Sequence, residues 1–349
     1  MNTELLEELN DIAVRMVAPA KGLLAADEST STIKKRFDVI GLESTEESRR
    51  DYRELLFRTK NAMENHISGV ILFDETIRQK AEDGTPLVKL IEDAGSIPGI
   101  KVDMGAKDLA GYPGEKVTEG LDGLRERLAE YHQLGARFAK WRAVIDIARG
   151  GSIAMPSYGC LKANMHALAR YAALCQEQRI VPIVEPEVLM DGDHDIDRCF
   201  EVTEQGLRIL YEELYDAGVA LEGTILKPNM VIAGKKSDKQ AGTDEIAEKT
   251  VACFRNAVPT AVPGIVFLSG GQSEVEATEN LNTMNRDYAD QMPWALSYSY
   301  GRALQASALD AWGGKRDNVS AGQAAFDHRA KMNGHAQMGT WSREMEQAG

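Results

Sequence analysis

Short apolar runs recur along the chain, and each one ends on a polar or turn residue. Eight of them span residues 23–27, 70–74, 100–103, 138–142, 180–185, 224–227, 265–269 and 294–300. Most are continuous rather than alternating, which is typical of strands that are buried on both faces of a parallel sheet. Successive runs end roughly 30 to 45 residues apart, and that spacing holds a loop and a crossover helix.

Helical periodicity occurs before and between these runs. An amphipathic helix is predicted at the start of the chain, where apolar residues fall on one helical face. This face consists of Leu5, Leu9, Ile12 and Met16. Three further helical segments are predicted between the runs, at residues 120–134, 163–177 and 201–217.

Strands that alternate with helices across most of the chain predict an α/β fold. The number of runs favours a (β/α)8 TIM barrel with additional N-terminal and C-terminal helices over a doubly wound sheet. No linker or low-complexity tract interrupts the pattern. We therefore predict a single barrel domain over residues 1–349, with residues 331–349 as a C-terminal tail.

Composition narrows the classes of partner and compartment. The formal net charge of −14 argues against nucleic acid and anionic membranes as partners, because the long-range field repels polyanions. The four cysteines form no C-x-x-C pair, which indicates a reducing compartment. The acidic N-terminus does not resemble a signal peptide, and no apolar run approaches the length of a bilayer span. We expect a cytoplasmic protein.

Charged residues gather at the ends of the predicted strands, where a barrel carries its catalytic groups. Residues two apart share a face of a strand, which places Lys140 beside Arg142 and Glu185 beside Glu187. Each charge alone is also explained as an ordinary solvated or paired group. The cations predicted to share one face are Lys35, Arg36, Lys101, Lys140, Arg142, Lys227 and Arg302.

Such a set of cations in an acidic protein indicates a site for a small polyanion, since buried charges are costly unless they are paired. Phosphate is the candidate anion. Residues 269–271 and 301–302 follow the seventh and eighth predicted strands, where barrels build phosphate sites from backbone amides. Glycine in both segments permits a close approach of the backbone to a ligand.

Other motifs point to different chemistry, but they lack the required context. Residues 268–272 spell the ABC-transporter signature, yet the chain has no G-x-x-x-x-G-K-[ST] phosphate loop. Residues 191–195 suggest a calcium loop, yet Ile196 and Val202 stand where that loop needs Gly and Glu. The six histidines lack the spacing of a zinc site. We therefore expect no metal.

Six motifs together resemble those of class I fructose-1,6-bisphosphate aldolases. They lie at residues 24–30, 138–142, 184–187, 226–230, 268–273 and 299–305. The resemblance implies a lyase that reversibly cleaves fructose 1,6-bisphosphate to dihydroxyacetone phosphate and glyceraldehyde 3-phosphate, in glycolysis and gluconeogenesis. It also implies a Schiff-base mechanism, no cofactor, sugar phosphates as ligands and a homotetramer.

The resemblance assigns the catalytic roles. Lys227 is implied to form the Schiff base, and a lysine attacks a carbonyl only as the neutral amine, which burial beside another cation favours. Glu185 is implied to be the acid and base, with Glu187 in support. Lys140 is implied to assist carbinolamine formation, with Asp27 oriented against it.

The resemblance also divides the phosphate ligands between the two ends of the substrate. The residues implied to bind the C1 phosphate are Ser269, Gly270, Gly271, Ser299, Gly301 and Arg302, with Arg36 closing over it. Those implied at the other end are Ser29, Thr32, Lys35, Lys101 and Arg142. The family commonly has Ser where this chain has Thr32, a change that keeps the hydroxyl.

Several questions stay open at this point. A barrel that has lost activity and serves as a scaffold is one alternative, and a transaldolase or deoxyribose-phosphate aldolase, which would lack a second phosphate site, is another. The preference between fructose 1,6-bisphosphate and fructose 1-phosphate is undetermined. Vertebrate members of the resembled family carry a terminal tyrosine that helps protonate the enamine, whereas the last tyrosine of this sequence is Tyr300. Trp341 and Met345 are candidates to pack the tail against the barrel.

Overall fold

The computed structural model describes residues 2–147 and 155–347. Its barrel strands are β1 (Gly22–Ala26), β2 (Ile67–Leu72), β3 (Ile97–Lys101), β6 (Phe138–Ile145), β7 (Val181–Val188), β8 (Ile225–Leu226), β9 (Gly264–Phe267) and β10 (Ala295–Tyr300). They close a barrel in the order β1-β10-β9-β8-β7-β6-β3-β2, and every neighbouring pair is parallel. Each predicted run overlaps one strand, and the prediction of a (β/α)8 barrel is confirmed.

A short antiparallel hairpin lies outside the barrel and was not predicted. It pairs β4 (Ala106–Asp108) with β5 (Lys116–Thr118). Each strand has three residues, which are too few to show a periodic pattern, so the apolar runs carry no sign of the hairpin.

Helices surround the barrel and follow its strands. Within the described residues they are α1 (Thr3–Met16), α2 (Thr30–Val39), α3 (Glu46–Phe57), α4 (Lys60–Asn65), α5 (Asp74–Arg78), α6 (Leu87–Asp93), α7 (Leu124–Gln133), α8 (Tyr158–Glu177), α9 (Ile196–Asp216), α10 (Thr243–Ala257), α11 (Glu274–Tyr288), α12 (Arg302–Trp312) and α13 (Val319–Gln337). The four predicted helical segments correspond to α1, α7, α8 and α9. Helix α7 begins later than its predicted segment because residues 120–123 form a turn that includes Gly123 at φ +67°.

Helix α1 closes one end of the barrel. Asn2 caps it by accepting a hydrogen bond from the Leu5 amide at 2.8 Å. Its buried residues Leu9, Ile12 and Met16 belong to one apolar cluster with side chains from the strands, including Phe138. The predicted apolar face of this helix is therefore the face that packs against the interior of the barrel.

Phe138 fills the barrel interior next to two glycines. A Cβ atom on Gly99 would overlap its ring, and one on Gly69 would lie 2.9 Å from it. One large side chain thus occupies the space that side chains on the two neighbouring strands would otherwise need. Because Phe138 starts β6, this packing also fixes the strand that carries Lys140 and Arg142.

The C-terminal segment is held on the outside of the barrel. Trp341 is 6% exposed, and Met345 packs against the main core. The carboxylate of Glu346 accepts hydrogen bonds from the Trp341 indole at 3.0 Å and from the buried Arg329. Of the predicted tail, residues 331–337 belong to α13, residues 343–347 form a 3-10 turn, and residues 348–349 lie outside the described part of the chain.

No helix within the described residues is long and apolar enough to cross a membrane.

We expect Gly99→Ala to lower the free energy of unfolding by about 2 kcal/mol, because the added methyl group overpacks the barrel interior against Phe138. Urea unfolding followed by circular dichroism measures the change. Gly242→Ala is the control for an added Cβ that meets no atom within 4 Å, at a φ of −79°, and because Gly242 is the N-cap of α10 we expect it to cost less than about 1 kcal/mol. Equal stability of the two variants would contradict the packing, whereas adding Phe138→Leu to Gly99→Ala should restore part of the loss.

Candidate active site

One cavity of about 650 Å³ opens at the carboxyl ends of the barrel strands. All the catalytic and substrate-binding residues predicted from the sequence line it. They are Asp27, Ser29, Thr32, Lys35, Arg36, Lys101, Lys140, Arg142, Glu185, Glu187, Lys227, Ser269, Gly270, Gly271, Ser299, Gly301 and Arg302. The strand register explains the convergence, because Lys101 pairs with Lys140 and Arg142 pairs with Glu185 on neighbouring strands.

Two lysines share one carboxylate at the centre of the cavity. Lys227 Nζ lies 3.3 Å from Glu185 Oε1, and Lys140 Nζ lies 3.3 Å from Glu185 Oε2. The second contact is close enough for an ion pair but lacks hydrogen-bond geometry. Lys140 also donates to Asp27 Oδ2 at 2.8 Å. The two lysines and Glu185 are each about 95% buried, so these charges interact in a medium of low dielectric constant.

The pKa values of this group follow from its charges. Burial alone would lower the pKa of Lys140, but Asp27, Glu185 and Asp103 outweigh it and raise that pKa above its ordinary value. Burial would raise the pKa of Asp27, yet the ammonium groups of Lys140 and Lys227 bring it well below its usual range. The pKa of Glu185 is lowered for the same reason, chiefly by Lys140 against burial. Lys140 is therefore a cation and both carboxyl groups are ionised near neutral pH.

A second set of pairs lies next to this centre, toward the hairpin. Arg142 donates from Nε to Glu187, which orients that carboxylate. Lys101 Nζ lies 3.4 Å from Asp103 Oδ1, and Asp103 Oδ2 accepts from the Arg142 amide at 3.4 Å. Asp103 and Glu187 thus connect residues at the ends of β3, β6 and β7.

The start of α12 offers free backbone amides to an anion. Gly301 precedes the helix and has no side chain to cap it, whereas Ser273 and Glu276 form a capping box on α11. Nearby, Gly270 and Gly271 have φ values of +55° and +81°, a conformation that glycine adopts without strain. The uncapped helix and the glycine turn together form a surface suited to phosphate.

The hydroxyl group of Ser299 also indicates a phosphate site. It is 1% exposed and lines the cavity, and its hydroxyl has no hydrogen-bond partner among the described residues. A buried hydroxyl without a partner is costly, so its position is explained by a ligand that accepts its proton.

The start of α2 borders the cavity beside the start of α12, because these helices follow the neighbouring strands β1 and β10. Ser29 precedes the helix, but its hydroxyl does not cap it and instead contacts Ser31 and Thr32 at 3.1 and 3.0 Å. Arg36, on the last turn of α2, donates to Glu28. Lys35 projects into the cavity from the same helix.

Four charged residues of the cavity had no role in the sequence prediction, and they are Glu28, Asp103, Asp191 and Lys235. Glu28 accepts from Arg36, from Arg53 at 2.8 Å and from Gln305 at 3.1 Å, so it holds Arg36 in place. Glu28 lies inside a recognised motif, and Asp103 ends a predicted strand, so both carried a signal. Lys235 follows β8 within a loop, and no pattern in the sequence marks it.

No cluster of His, Cys, Asp or Glu suited to a metal ion occurs in residues 2–147 and 155–347. The acidic turn at residues 191–195 instead ends in the N-cap of a helix, since Asp195 caps α9 by accepting a hydrogen bond from the Arg198 amide at 2.9 Å. His194, in the same turn, is 1% exposed and contacts neither cavity nor solvent.

Comparisons with known proteins show which family the whole chain resembles. A family model described as class I fructose-bisphosphate aldolase matches residues 8–349. A probable class 1 fructose-bisphosphate aldolase of Xanthomonas campestris is 58% identical over 337 residues, which cover 96% of this chain and 99% of the relative. Human fructose-bisphosphate aldolase C is 52% identical over 349 residues, covering 100% of this chain and 94% of the relative. The aldolase of Plasmodium falciparum, solved in complex with TRAP and a small-molecule inhibitor, superposes with a TM-score of 0.94 at 48% identity, covering 98% and 97% of the two chains.

Asp27→Asn should make the stability of the fold less sensitive to acid. The pKa of Asp27 lies below its unfolded value of about 3.9, so the carboxylate stabilises the fold above that pH, and this contribution is lost as the pH falls toward the folded pKa. Between roughly pH 5 and pH 3, we expect the unmodified protein to lose about 1 kcal/mol more stability than the variant. Urea unfolding at several pH values measures both curves. The control is Asp216→Asn, at the exposed end of α9, whose free energy of unfolding should depend on pH as that of the unmodified protein does. The same pH dependence in all three proteins would contradict the ion pair between Asp27 and Lys140.

Proposed function

The chain belongs to the class I fructose-bisphosphate aldolase family, and we propose that Lys227 is the lysine through which it cleaves fructose 1,6-bisphosphate. The reaction of the family is metal-independent and yields dihydroxyacetone phosphate and glyceraldehyde 3-phosphate. The observation that carries the proposal is the contact of the buried Lys227 with a carboxylate that also contacts Lys140. This assignment to the family excludes the transaldolase and deoxyribose-phosphate aldolase alternatives.

Schiff-base formation begins with attack of the Lys227 amine on the C2 ketone. Glu185 lies 3.3 Å from the Lys227 ammonium, so it is placed to take the proton that the lysine must lose. After the attack, Glu185 returns this proton to the C2 alkoxide oxygen, and it then moves a second proton from the nitrogen to the resulting hydroxyl group, which leaves as water as the iminium forms. Lys140 stays charged beside Glu185 and Asp27, and its positive charge stabilises the developing negative charge on that oxygen.

Carbon–carbon cleavage uses the resulting iminium as an electron sink. A base removes the proton of the C4 hydroxyl, the C3–C4 bond breaks, and its electrons move into the iminium to form the enamine. Glu185 is the base in this proposal, because it is buried next to Lys227. Glu187, held by Arg142, supports it from the next outward position on β7.

Two groups of phosphate ligands in one cavity suit a bisphosphate. We assign the C1 phosphate to the uncapped start of α12 and the glycine turn after β9, with the unpartnered Ser299 hydroxyl and the Arg302 guanidinium as further donors. Arg36 lies next to Gly301 and closes this site. The other phosphate is assigned to the start of α2 and the cations beyond it. These ligands are Ser29, Thr32, Lys35, Lys101 and Arg142.

The proposal also includes the quaternary structure and the cellular compartment. We propose a homotetramer, which the family resemblance implies. We also propose a cytoplasmic location, which is supported by four unpaired cysteines, all of them buried. We propose a single domain over residues 1–349, because β1 near the start of the chain pairs with β10 near its end to close the barrel.

Borohydride reduction in the presence of dihydroxyacetone phosphate should produce one covalent adduct, on Lys227. Reduction traps the iminium as a stable secondary amine, and peptide mapping locates it. The control is Lys227→Ala, which should give no adduct and no turnover, while treatment with EDTA should leave the activity of the unmodified protein intact. An adduct on another lysine, or activity lost to EDTA without any adduct, would overturn the mechanism.

Arg302→Ala and Lys101→Ala should separate the two phosphate sites. Loss of a charge-assisted contact worth about 1.5–3 kcal/mol raises KM by roughly 10- to 100-fold. We expect Arg302→Ala to raise KM for both fructose 1,6-bisphosphate and fructose 1-phosphate, because both carry the C1 phosphate. Lys101→Ala should raise KM only for the bisphosphate.

Lys107→Ala is the matched control for these variants. Lys107 is exposed on β4 and does not line the cavity, so its removal changes the net charge without touching either site. The assignment of the phosphates would be wrong if Arg302→Ala left KM for fructose 1-phosphate unchanged, or if Lys101→Ala affected both substrates equally.

A further inference from the structure

Lys235 lies on the loop after β8, and this loop is fixed to the loop after β7. The Lys235 amide donates to Met190 at 2.7 Å, the Gly234 amide to His194 at 2.8 Å, and the Lys236 amide to Gly192 at 3.0 Å. Three consecutive residues are thus held by backbone hydrogen bonds, and the position of the Lys235 backbone is well defined.

Gly234 permits this close contact between the two loops. A Cβ atom at this position would overlap the carbonyl group of Gly192 and come within 3.0 Å of the His194 ring. A larger residue would therefore push the loop, and Lys235 with it, away from the cavity.

The side chain of Lys235 extends over the glycine turn after β9. A Cβ atom on Gly271 would lie 2.5 Å from Lys235 Nζ and 2.8 Å from its Cε. The ammonium group therefore sits against the backbone of the turn to which the C1 phosphate is assigned. Both residues line the same cavity, together with Ser269 and Arg302.

The charge of Lys235 is weakly compensated. Among the described residues, the carboxylate paired with it is that of Asp191, whose Oδ1 is 4.0 Å from Nζ and whose side chain is 73% exposed. An exposed pair at this distance contributes little. By contrast, Lys140, Arg142 and Arg36 each contact a largely buried carboxylate at hydrogen-bond distance. Lys235 is thus free to exchange its partner for an anion.

We propose that Lys235 is an additional ligand of the C1 phosphate and that it covers this phosphate from the side of the β8 loop. The inference rests on the proposed function, because it takes the phosphate site at Gly271 and Arg302 as given. Without substrate, the ammonium lies against Gly271 and 4.0 Å from Asp191 Oδ1. When substrate binds, the ammonium contacts the phosphate, and the gain in binding comes from a charge-assisted hydrogen bond at the rim of the cavity.

Lys235→Gln tests the proposal by removing the charge from a side chain that is 46% exposed, so the fold should not depend on it. We expect KM to rise about tenfold for both fructose 1,6-bisphosphate and fructose 1-phosphate, with kcat within about twofold of the unmodified protein. The increase in KM should be the same for the two substrates, because both carry a phosphate at C1.

Lys236→Gln is the matched control. It makes the same change in charge at the next residue, which is exposed and does not line the cavity, so KM should stay within about twofold. Circular dichroism and thermal unfolding check that both variants fold as the unmodified protein does. A Lys235→Gln protein that matches the Lys236→Gln control, or one that loses affinity only for the bisphosphate, would overturn the proposal.

The borohydride adduct separates this inference from the proposed function. If Lys235→Gln raises neither KM while its adduct still forms on Lys227, the role of Lys235 is wrong and the mechanism stands. If the unmodified protein forms no adduct on Lys227, the proposed function itself fails.

Discussion

The rest of the site depends on the carboxylate of Glu185, which lies between the ammonium groups of Lys140 and Lys227. Burying any one of these charges alone would cost several kcal/mol, so none of them is stable in the barrel without the others. Asp27 completes the group on the other side of Lys140. Because two carboxylates face two lysines, a proton that passes from Lys227 to Glu185 leaves the carboxylate of Asp27 compensated by the charge of Lys140. That balance allows a buried nucleophile in a folded protein.

The barrel supplies this group with a rigid frame. Helix α1 and Phe138 fill the barrel below the charged residues, and close packing there leaves β6 and β7 little freedom to move.

The helices that follow β9 and β10 differ in how the backbone amides at their starts are satisfied. The start of α11 is satisfied by Ser273, whereas Gly301 leaves the amides of α12 unbonded by a side chain. An anion is therefore directed to one helix start and not to its neighbour.

Much of this architecture was predictable from the sequence because it depends on local patterns. Strands buried on both faces give continuous apolar runs, and the charged residue at the end of each run, such as Glu185 or Lys227, falls at the catalytic face of any barrel. The hairpin was missed because its short exposed strands have no periodic signal. Lys235 was missed for a different reason. Its place over Gly271 results from backbone bonds between two loops, and contacts between loops leave no trace in residue spacing.

The pairing of β1 with β10 has a consequence for how the chain is made. Leu23 lies opposite Ser299, so the first barrel strand acquires its second neighbour only after nearly the whole chain has left the ribosome. Until then one edge of β1 is unpaired, and the interior surface that α1 covers is incomplete. Asp27, which follows β1, and Lys140 can meet early, but the phosphate site at Gly301 is built last. Nascent chains that stall before the final strand should thus be the species that need chaperones, and they would hold most of the catalytic charges but lack the part of the C1 phosphate site that lies on β10 and at the start of α12.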